Sequence, residues 1–456
     1  MNCTVLGSWF AALLLLLTSA CGRRGHIPVD VDAGIAAPSR EVFVDPEDKA
    51  ATIYDQSKFR TFKLEIEQAD LDMLNSSPAA EMYVSGTLIF QGKTYADVGV
   101  RYKGSVGAFQ APCVQGGSLV DHSGPKGGKC SIKVSFNWKD PDRRFFGLKK
   151  LVFHSMNNDP SFMRERLGYA MFREMGVPAP RATHAKVAIN GQVEGVFALV
   201  EEIDGRFTRS RFAEGGKGNL YKEIWPIYSD PQLYVDALES NRDQDPSVEG
   251  MLRFKDAVLS GPEATESWLD RQMIAAYLAV DRVILNDDGI FHFWCSPGGS
   301  GNNPETPANH NYYWYESEAA DHMWLVPWDL DYSFTDPSTG GLESLLIHVS
   351  TDWTQPPATC GCASVISQGP AACDPLIMNF QAWIEDYNEE VDAFLKGPFS
   401  ARKVNAKLDS WTAQIDDAVS KTAGTNSAPS YETWKASVDT LRQVVANARA
   451  NRGYPY

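Results

Sequence analysis

The sequence predicts an α+β fold, with a strand-rich N-terminal part and a mostly helical C-terminal part. Three observations lead there. Between about residues 41 and 200, apolar side chains recur at every second position in short runs separated by turn residues. Within that half, one helix is strongly marked at both ends. From about Asp374 to Arg452 the text is largely helical, with breaks near Gly397-Pro398 and at TAGTNSAPS. The 456 residues, 43% hydrophobic and 11% aromatic, suffice for one large two-lobed domain or for two domains with a sizeable core.

The first element is an address. WFAALLLLLTSAC is an apolar run ending in small residues before Cys21, too short to span a bilayer comfortably and similar to a signal-peptide core. TSAC resembles a bacterial lipoprotein box, in which Cys21 becomes the lipidated first residue. Thr18 departs from that pattern, and MNCTVLGS lacks the usual Lys or Arg. Residues 1–21 are therefore expected to be a signal peptide and 22–42 a flexible tether. The protein is expected to be exported, and to meet a membrane only through a lipid anchor at Cys21 if that residue is processed. The net charge of −16 argues against nucleic-acid binding and suits a basic partner, although acidity also serves solubility.

Export bears on the cysteines. Apart from Cys3 and Cys21 there are six, an even number that favours disulfides in an oxidising compartment. Cys113 with Cys130 would close one local loop, and Cys360 or Cys362 with Cys373 another. A zinc site is the alternative, but the spacing is poor and no His flanks these cysteines.

In chain order, FKLEIE reads as a strand and QADLDMLNSS as a short helix. Two strands around a turn at Gln91-Gly92 follow, then the alternating strand KCSIKVSFNW. The marked helix is DPSFMRERLGYAMFREMGVPAP. Asp159 is placed to cap it, Pro160 suits its first position, and Met163, Leu167, Ala170 and Met171 form its apolar stripe; Gly176, Pro178 and Pro180 end it. HAKVAI and EGVFALVEEID read as strands around Asn190-Gly191. Ser267 to Leu285 reads as a helix. NYYWYE and HMWLVP read as a hairpin with a polar turn near Glu318 to Asp321.

That hairpin carries the chemistry. Folded about its centre, it sets position 311 opposite position 328, so Asn311 lands beside Asp329. If the chain stays extended past Pro327, Asp329 and Asp331 of VPWDLDYSF face the same way. Two close carboxylates repel, and a hard divalent ion such as Mg²⁺ or Mn²⁺ with oxygen ligands resolves the repulsion. The plainer reading has Asp329 capping a turn and Asp331 paired with an Arg. Protein kinases use a related order: an Asp, then an Asn, a hairpin and a second Asp. Upstream here lies VILNDDGIF, where Asp287 and Asp288 offer a base for a hydroxyl or an Asx turn before Gly289. RYKGSVG leaves a strand with a Gly-containing turn, Lys133 stands in a strand ahead of the marked helix, Glu201 ends VFALVE and Lys222 sits in GNLYKE.

VGVRYKGS, SIKVSF, DPSFMRERLGYAMFREMGVPAP, VAINGQVEGVFALVEEID, NLYKE, HNYYWY and PWDLDYSF together resemble the spore-coat protein H (CotH) kinase family, in that family's order. The resemblance implies a divergent, atypical protein-kinase-like two-lobed fold, with residues 43–230 as the N-lobe-like part and 231–456 as the C-lobe-like part. It implies ATP with Mg²⁺ or Mn²⁺, and phosphorylation of Ser or Thr on coat or other secreted proteins. Asp329 resembles the main metal-binding Asp, with Asn311 beside it, and Asp331 stays a metal candidate from strand alternation. Asp288 resembles the catalytic Asp, with Asp287 as a rival, and Lys133 the nucleotide-contacting Lys. Arg101, Lys103, Glu201 and Lys222 match positions of cofactor-binding motifs, and Asp159 and Arg164 also match. The insertion SPGGSGNNPETPAN, Thr335 in place of a Gly, and the Cys-rich ATCGCASVISQGPAACDP depart from the family's pattern.

The expected function is an exported protein kinase acting on a protein substrate, basic and Ser-rich in keeping with the acidic surface. Two competitors stand beside it: a noncatalytic surface or coat-assembly scaffold with a structural metal site, and an enzyme transferring AMP from ATP.

Overall fold

The computed structural model describes residues 48–104, 113–115, 118–119, 129–212, 215–243, 246–294, 309–317, 321–335, 352–355, 360, 368–369, 371–424 and 428–453. The expected signal peptide and tether, Cys21, Cys295, Cys362 and nearly all of the insertion before His310 lie outside the described residues.

The chain is mixed α+β, as expected. Its first half comprises β1 (Arg60–Ile66), α1 (Gln68–Ser76), β2 (Val84–Phe90), β3 (Lys93–Lys103), a small ribbon of β4 (Val114–Gln115) and β5 (Ser118–Leu119), β6 (Ser131–Ser135), β7 (Lys150–His154), α2 (Arg164–Glu174), β8 (Ala182–Ile189) and β9 (Gln192–Val200). Seven of these strands close a barrel in the order β1-β2-β3-β6-β7-β9-β8. Its seam is the parallel pairing of β1 with β8. Closure leaves the barrel no open edge to aggregate through. The turns at Gln91-Gly92 and Asn190-Gly191 place both residues at positive φ, the twist a two-residue hairpin turn needs.

Strand alternation sorts the barrel's two faces. Val100, Tyr102, Ile132, Val134, Leu151, Phe153, Phe197 and Leu199 fill its apolar core. The alternate positions, among them Lys103, Lys133, Lys150, His154, Ala198 and Val200, take the outer face. Ala198 and Val200 belong to a second apolar core shared with the rest of the chain.

The rest of the chain comprises α3 (Gly205–Arg211), β10 (Leu220–Lys222), α4 (Pro231–Asp236), α5 (Glu249–Ser260), α6 (Pro262–Glu266), α7 (Arg271–Val283), β11 (Phe293–Trp294), β12 (Tyr312–Ser317), β13 (His322–Pro327), β14 (Gln368–Gly369), α8 (Pro375–Gln381), α9 (Ile384–Lys396), α10 (Ala401–Thr422) and α11 (Tyr431–Ala450); α7, β12, β13 and the long helices α9, α10 and α11 supply much of that second core. The hairpin β12–β13 pairs with β10 in a three-stranded sheet. Its register sets Tyr312 opposite Pro327, so position 311 does face position 328. Disulfides join Cys113 to Cys130 and Cys360 to Cys373. No helix among the described residues is long and apolar enough to cross a membrane.

Two helix starts differ from expectation. α2 begins at Arg164 rather than at Pro160, because residues 159–162 first make a tight turn in which the Phe162 amide bonds the Asp159 carbonyl. Asp159 still caps the helix, its Oδ2 accepting from the Arg164 amide at 2.8 Å. The helix expected from Ser267 begins at Arg271, capped by Asp270, whose Oδ1 accepts from the Met273 amide at 2.8 Å.

Beyond β9 the backbone turns Glu201 into the interior. Arg181 donates to it from Nη2 at 2.7 Å and Arg211 from its own Nη2 at 2.7 Å. Arg206 joins from a third side, and Asp48 bridges Arg181 and Arg206. Burial opposes ionisation of Glu201, yet Arg211, Arg181 and Arg206 hold its carboxyl far below the usual carboxylate range. The network ties the end of the barrel to α3. Glu201→Gln leaves the three guanidiniums without their common partner and is expected to cost about 3–5 kcal/mol in denaturant unfolding, whereas the exposed ion-pair change Lys421→Ala is expected to cost no more than about 0.5 kcal/mol.

Candidate functional site

The site is organised by a tight turn after β13. Asp329 adopts φ of +49° and Leu330–Tyr332 form one turn of 3-10 helix. The chain therefore does not stay extended past Pro327, and Asp329 and Asp331 are not related by strand alternation as the sequence suggested. They remain close, because the turn is compact and α2 grips it. Gly168 makes this possible: a Cβ there would stand 2.9 Å from Leu330 Cδ1. The Asp329 amide donates to the Tyr169 hydroxyl at 2.9 Å, and Asn158 Nδ2 donates to Asp331 Oδ2 at 3.1 Å. Arg164 Nη1 donates to the Asp331 carbonyl at 3.3 Å. A non-glycine residue in the left-handed region is held there only by surroundings that over-determine it, a condition that recurs at functional sites. Asn311 shares that condition, with φ of +66°.

The Asp288 loop is stitched to the same turn. Phe334 and Thr335 donate backbone hydrogen bonds to Ile284 and Leu285, and Asp287 donates to Tyr332. Across the hairpin, the Trp328 amide donates to the Asn311 carbonyl at 3.1 Å. Asn311 Nδ2 then donates to both the carbonyl and Oδ2 of Asp288 at 2.9 Å. His310 Nε2 lies 2.9 Å from Asp288 Oδ1. Burial opposes a charge on His310, but Asp288 holds it above the ordinary imidazole range. Asp288, Asn311, Asp329 and Asp331 are thus gathered from three separated stretches of chain, by backbone hydrogen bonds and by the side-chain bonds of Asn311 and Asn158. Asp331 is pushed well above the carboxylate range, by burial first and then by Asp329 and Glu165.

The outer face of the barrel supplies the cations. Lys103 Nζ stands 2.7 Å from His154 Nε2 and lies over the Trp328 ring, the residue before Asp329. Burial pushes Lys103 down to about 8, while Asp329 pulls it back up. Lys133 and Lys150 both reach Glu202 Oε1, at 3.0 and 3.2 Å. Glu202 is held down at about 2: burial opposes this, but Lys133 and Lys150 outweigh it. His154 Nδ1 lies 2.7 Å from Glu165 Oε1.

Not every expected residue joins this group. Asp288, Asn311, Asp329, Asp331, Lys103 and Lys133 do. Glu201 does not: its carboxylate is spent on arginines in the interior, and its neighbour Glu202 is the one that meets Lys133. Arg101 lies opposite Lys133 in the β3–β6 register but pairs with Glu81 at 2.5 Å and sits over the Tyr83 ring. Lys222 is half exposed on β10, 3.7 Å from Glu223, whose Oε1 accepts from the Asn311 amide. Asp287 is buried beneath the loop, whereas Asp288 bears on Asn311 and His310. Thr335 is buried, its hydroxyl donating to the Tyr332 carbonyl. Sequence reasoning missed His154, Glu165, Glu202 and His310. Two of these had a signal: His154 is a polar residue ending the apolar run KLVF, and Glu165 adjoins the buried stripe of α2.

A family model described as CotH kinase protein matches residues 122–451. Two Bacillus subtilis (strain 168) proteins align over part of the chain. An inner spore coat protein H-like protein is 38% identical over 73 residues, 16% of this chain and 22% of that protein. Inner spore coat protein H is 33% identical over 83 residues, 18% of this chain and 22% of that protein. The alignments thus span about a fifth of the length of these curated relatives.

The Asp288 loop has a buried anchor at the end of α7. Asp281 Oδ1 accepts from Asn286 Nδ2 at 2.7 Å, and Gly289 must lack a Cβ because one would meet both side chains within 3 Å. Burial raises the Asp281 carboxyl from 3.8 to about 7, although Asn286 and Arg282 favour its ionised form. The folded chain therefore keeps a proton that the unfolded chain releases. The stability linked to that proton is complete below about pH 4 and is lost as pH rises through 7. Relative to Asp281→Asn, the wild-type chain is expected to lose stability between about pH 4.5 and pH 8, by at most roughly 1.4 kcal/mol per pH unit. Urea unfolding of both proteins at these two values measures it.

Proposed function

The chain belongs to the CotH kinase protein family, and on that premise we propose that it is an atypical protein kinase, transferring the γ-phosphate of ATP to Ser or Thr hydroxyls of coat or other extracytoplasmic proteins. The observation that carries this reading is the meeting of Asp288, Asn311, Asp329 and Asp331 at one turn beside Lys103. In this reading the barrel with α2 acts as the N-terminal lobe and the hairpin with the later helices as the C-terminal lobe.

The residues present fit a hard divalent cation. Asn311 Oδ1, Asp329 and Asp331 are oxygen donors of the kind Mg²⁺ and Mn²⁺ prefer, and the burial and carboxylate repulsion that oppose a charge on Asp331 are what divalent charge offsets. Bound there, the ion would neutralise charge on the phosphates of ATP. The chain's own part is positioning and proton handling. Asp288 accepts the proton of the acceptor hydroxyl, oriented by Asn311 Nδ2 and flanked by His310. Lys133 presents a cation to the nucleotide from a fixed rotamer, because Glu202 braces it at 3.0 Å. Lys103 adds a second cation, braced by His154. Arg101 and Lys222 act from the margins, and Glu201 acts only by holding the barrel's end in place.

The acidic surface suits a basic, Ser-rich protein substrate. The proposed location is the extracytoplasmic side of a membrane, with an anchor at Cys21, or free secretion. A second reading, a noncatalytic coat-assembly scaffold, draws support from the names of the two relatives and from the scarcity of ATP outside the cytoplasm.

Purified protein incubated with labelled ATP, Mn²⁺ and a basic Ser-rich peptide decides between them. Transfer is expected for the wild type, with a loss on the order of 10²–10⁴-fold in kcat for Asp288→Asn. Asp329→Ala is expected to show no transfer above background. Transfer that survives Asp329→Ala removes the catalytic assignment. The absence of both transfer and any nucleotide-induced shift in Tm favours the scaffold.

A further inference from the structure

Asp329 has a second acidic neighbour that the site so far leaves without a task. Glu165, in the first turn of α2, is almost fully buried. Its Oε1 is bonded to His154 Nδ1 at 2.7 Å, but its Oε2 has no hydrogen-bond partner. A buried carboxylate oxygen left bare costs free energy unless something else compensates it. An oxygen of Glu165, an oxygen of Asp329 and a ring nitrogen of His154 all lie within 4.8 Å of one another.

His154 does not compensate them. A lysine ammonium can only donate, so Lys103 fixes Nε2 of His154 as an acceptor and places the imidazole proton on Nδ1, facing Glu165. Both ring nitrogens are then used, and the free donors at this point are oxygens alone. Asn158 donates from Nδ2 to the adjacent Asp331 Oδ2, and its own buried Oδ1 has no hydrogen-bond partner. Charge points the same way. Glu165, Asp329 and Asp331 are three carboxylates with one ammonium, Lys103, among them. The guanidinium of Arg164 stands at the edge of this group, with Nη1 donating to the Asp331 carbonyl and Nε 3.9 Å from Asp159.

We propose that Glu165 Oε2 and Asp329 hold a second divalent cation, distinct from the one assigned to Asn311, Asp329 and Asp331, with the buried Oδ1 of Asn158 flanking it. The inference rests on the metal-dependent reading above and deepens it. An all-oxygen donor set selects Mg²⁺, Mn²⁺ or Ca²⁺ over softer ions. Because Glu165 belongs to α2 and Asp329 to the turn after β13, the ion clasps the helix to the turn at the point where Gly168 already brings them into contact.

Mn²⁺ binding to the full chain, measured by electron paramagnetic resonance with and without a nonhydrolysable ATP analogue, tests this without recourse to activity. The wild type is expected to bind two ions. Glu165→Gln is expected to bind one, and Asn311→Ala to lose the other while keeping the ion at Glu165. Circular dichroism checks that each variant is folded. Should Glu165→Gln not fold, an anomalous-scattering peak against Glu165 in wild-type crystals grown with Mn²⁺ supports the site, and its absence removes it. Two ions retained in folded Glu165→Gln overturn the second site and leave the kinase reading intact. No Mn²⁺ bound to the wild type, with or without nucleotide, overturns both.

Discussion

Everything at the site depends on how closely α2 approaches the Asp329–Asp331 turn. Gly168 allows the Leu330 side chain to rest directly on the helix. Tyr169, Arg164 and Asn158 then take hold of the turn's backbone and of the Asp331 carboxylate. A tight turn carrying two acidic side chains would not hold a left-handed Asp by itself, since the conformation is strained and the charges repel. The helix supplies the missing constraint, and the Asp288 loop supplies the other half through backbone hydrogen bonds to Phe334, Thr335 and Tyr332. The acidic cluster is the consequence of those two dockings.

The barrel contributes in a different way. Its interior is apolar and self-contained, so its outer face is free to carry charge where it meets the rest of the chain. Lys103, Lys133, Lys150 and His154 stand on that face, and each is braced by an acid or by another member of the group. Long cationic side chains lose much rotamer freedom when they bind an anion. Bracing them in advance with Glu202 and with the His154–Glu165 pair lowers that cost. The arrangement also explains why two adjacent glutamates have unlike fates. Glu201 is enclosed by arginines and fastens the barrel to α3, whereas Glu202 meets the lysines of the outer face.

The hairpin β12–β13 shows where sequence reasoning succeeds. Pairing about a polar turn is local arithmetic, and it placed Asn311 opposite Trp328, next to Asp329. The disulfide between Cys113 and Cys130 and the turns at Gln91-Gly92 and Asn190-Gly191 were legible for the same reason, since each depends on residues close along the chain. The same arithmetic failed past Pro327. Strand alternation predicted that Asp329 and Asp331 share a face, but α2 bends the chain there into a 3-10 turn. The start of α2 was misplaced because Asp159 caps from five residues away, across a turn that has no helical signature.

By itself the sequence determined the α+β class, the hairpin register and the identity of most acidic residues in the cluster, because periodicity, turn chemistry and motif order act over short distances. Only the tertiary structure decided that seven strands close into a barrel, which face of that barrel is charged, that Glu202 rather than Glu201 meets Lys133, and that His154 and Glu165 join Lys103. Those outcomes turn on contacts between residues from about ten to somewhat more than a hundred positions apart. Such contacts depend on how helices and sheets pack, and packing leaves no periodic trace in the chain.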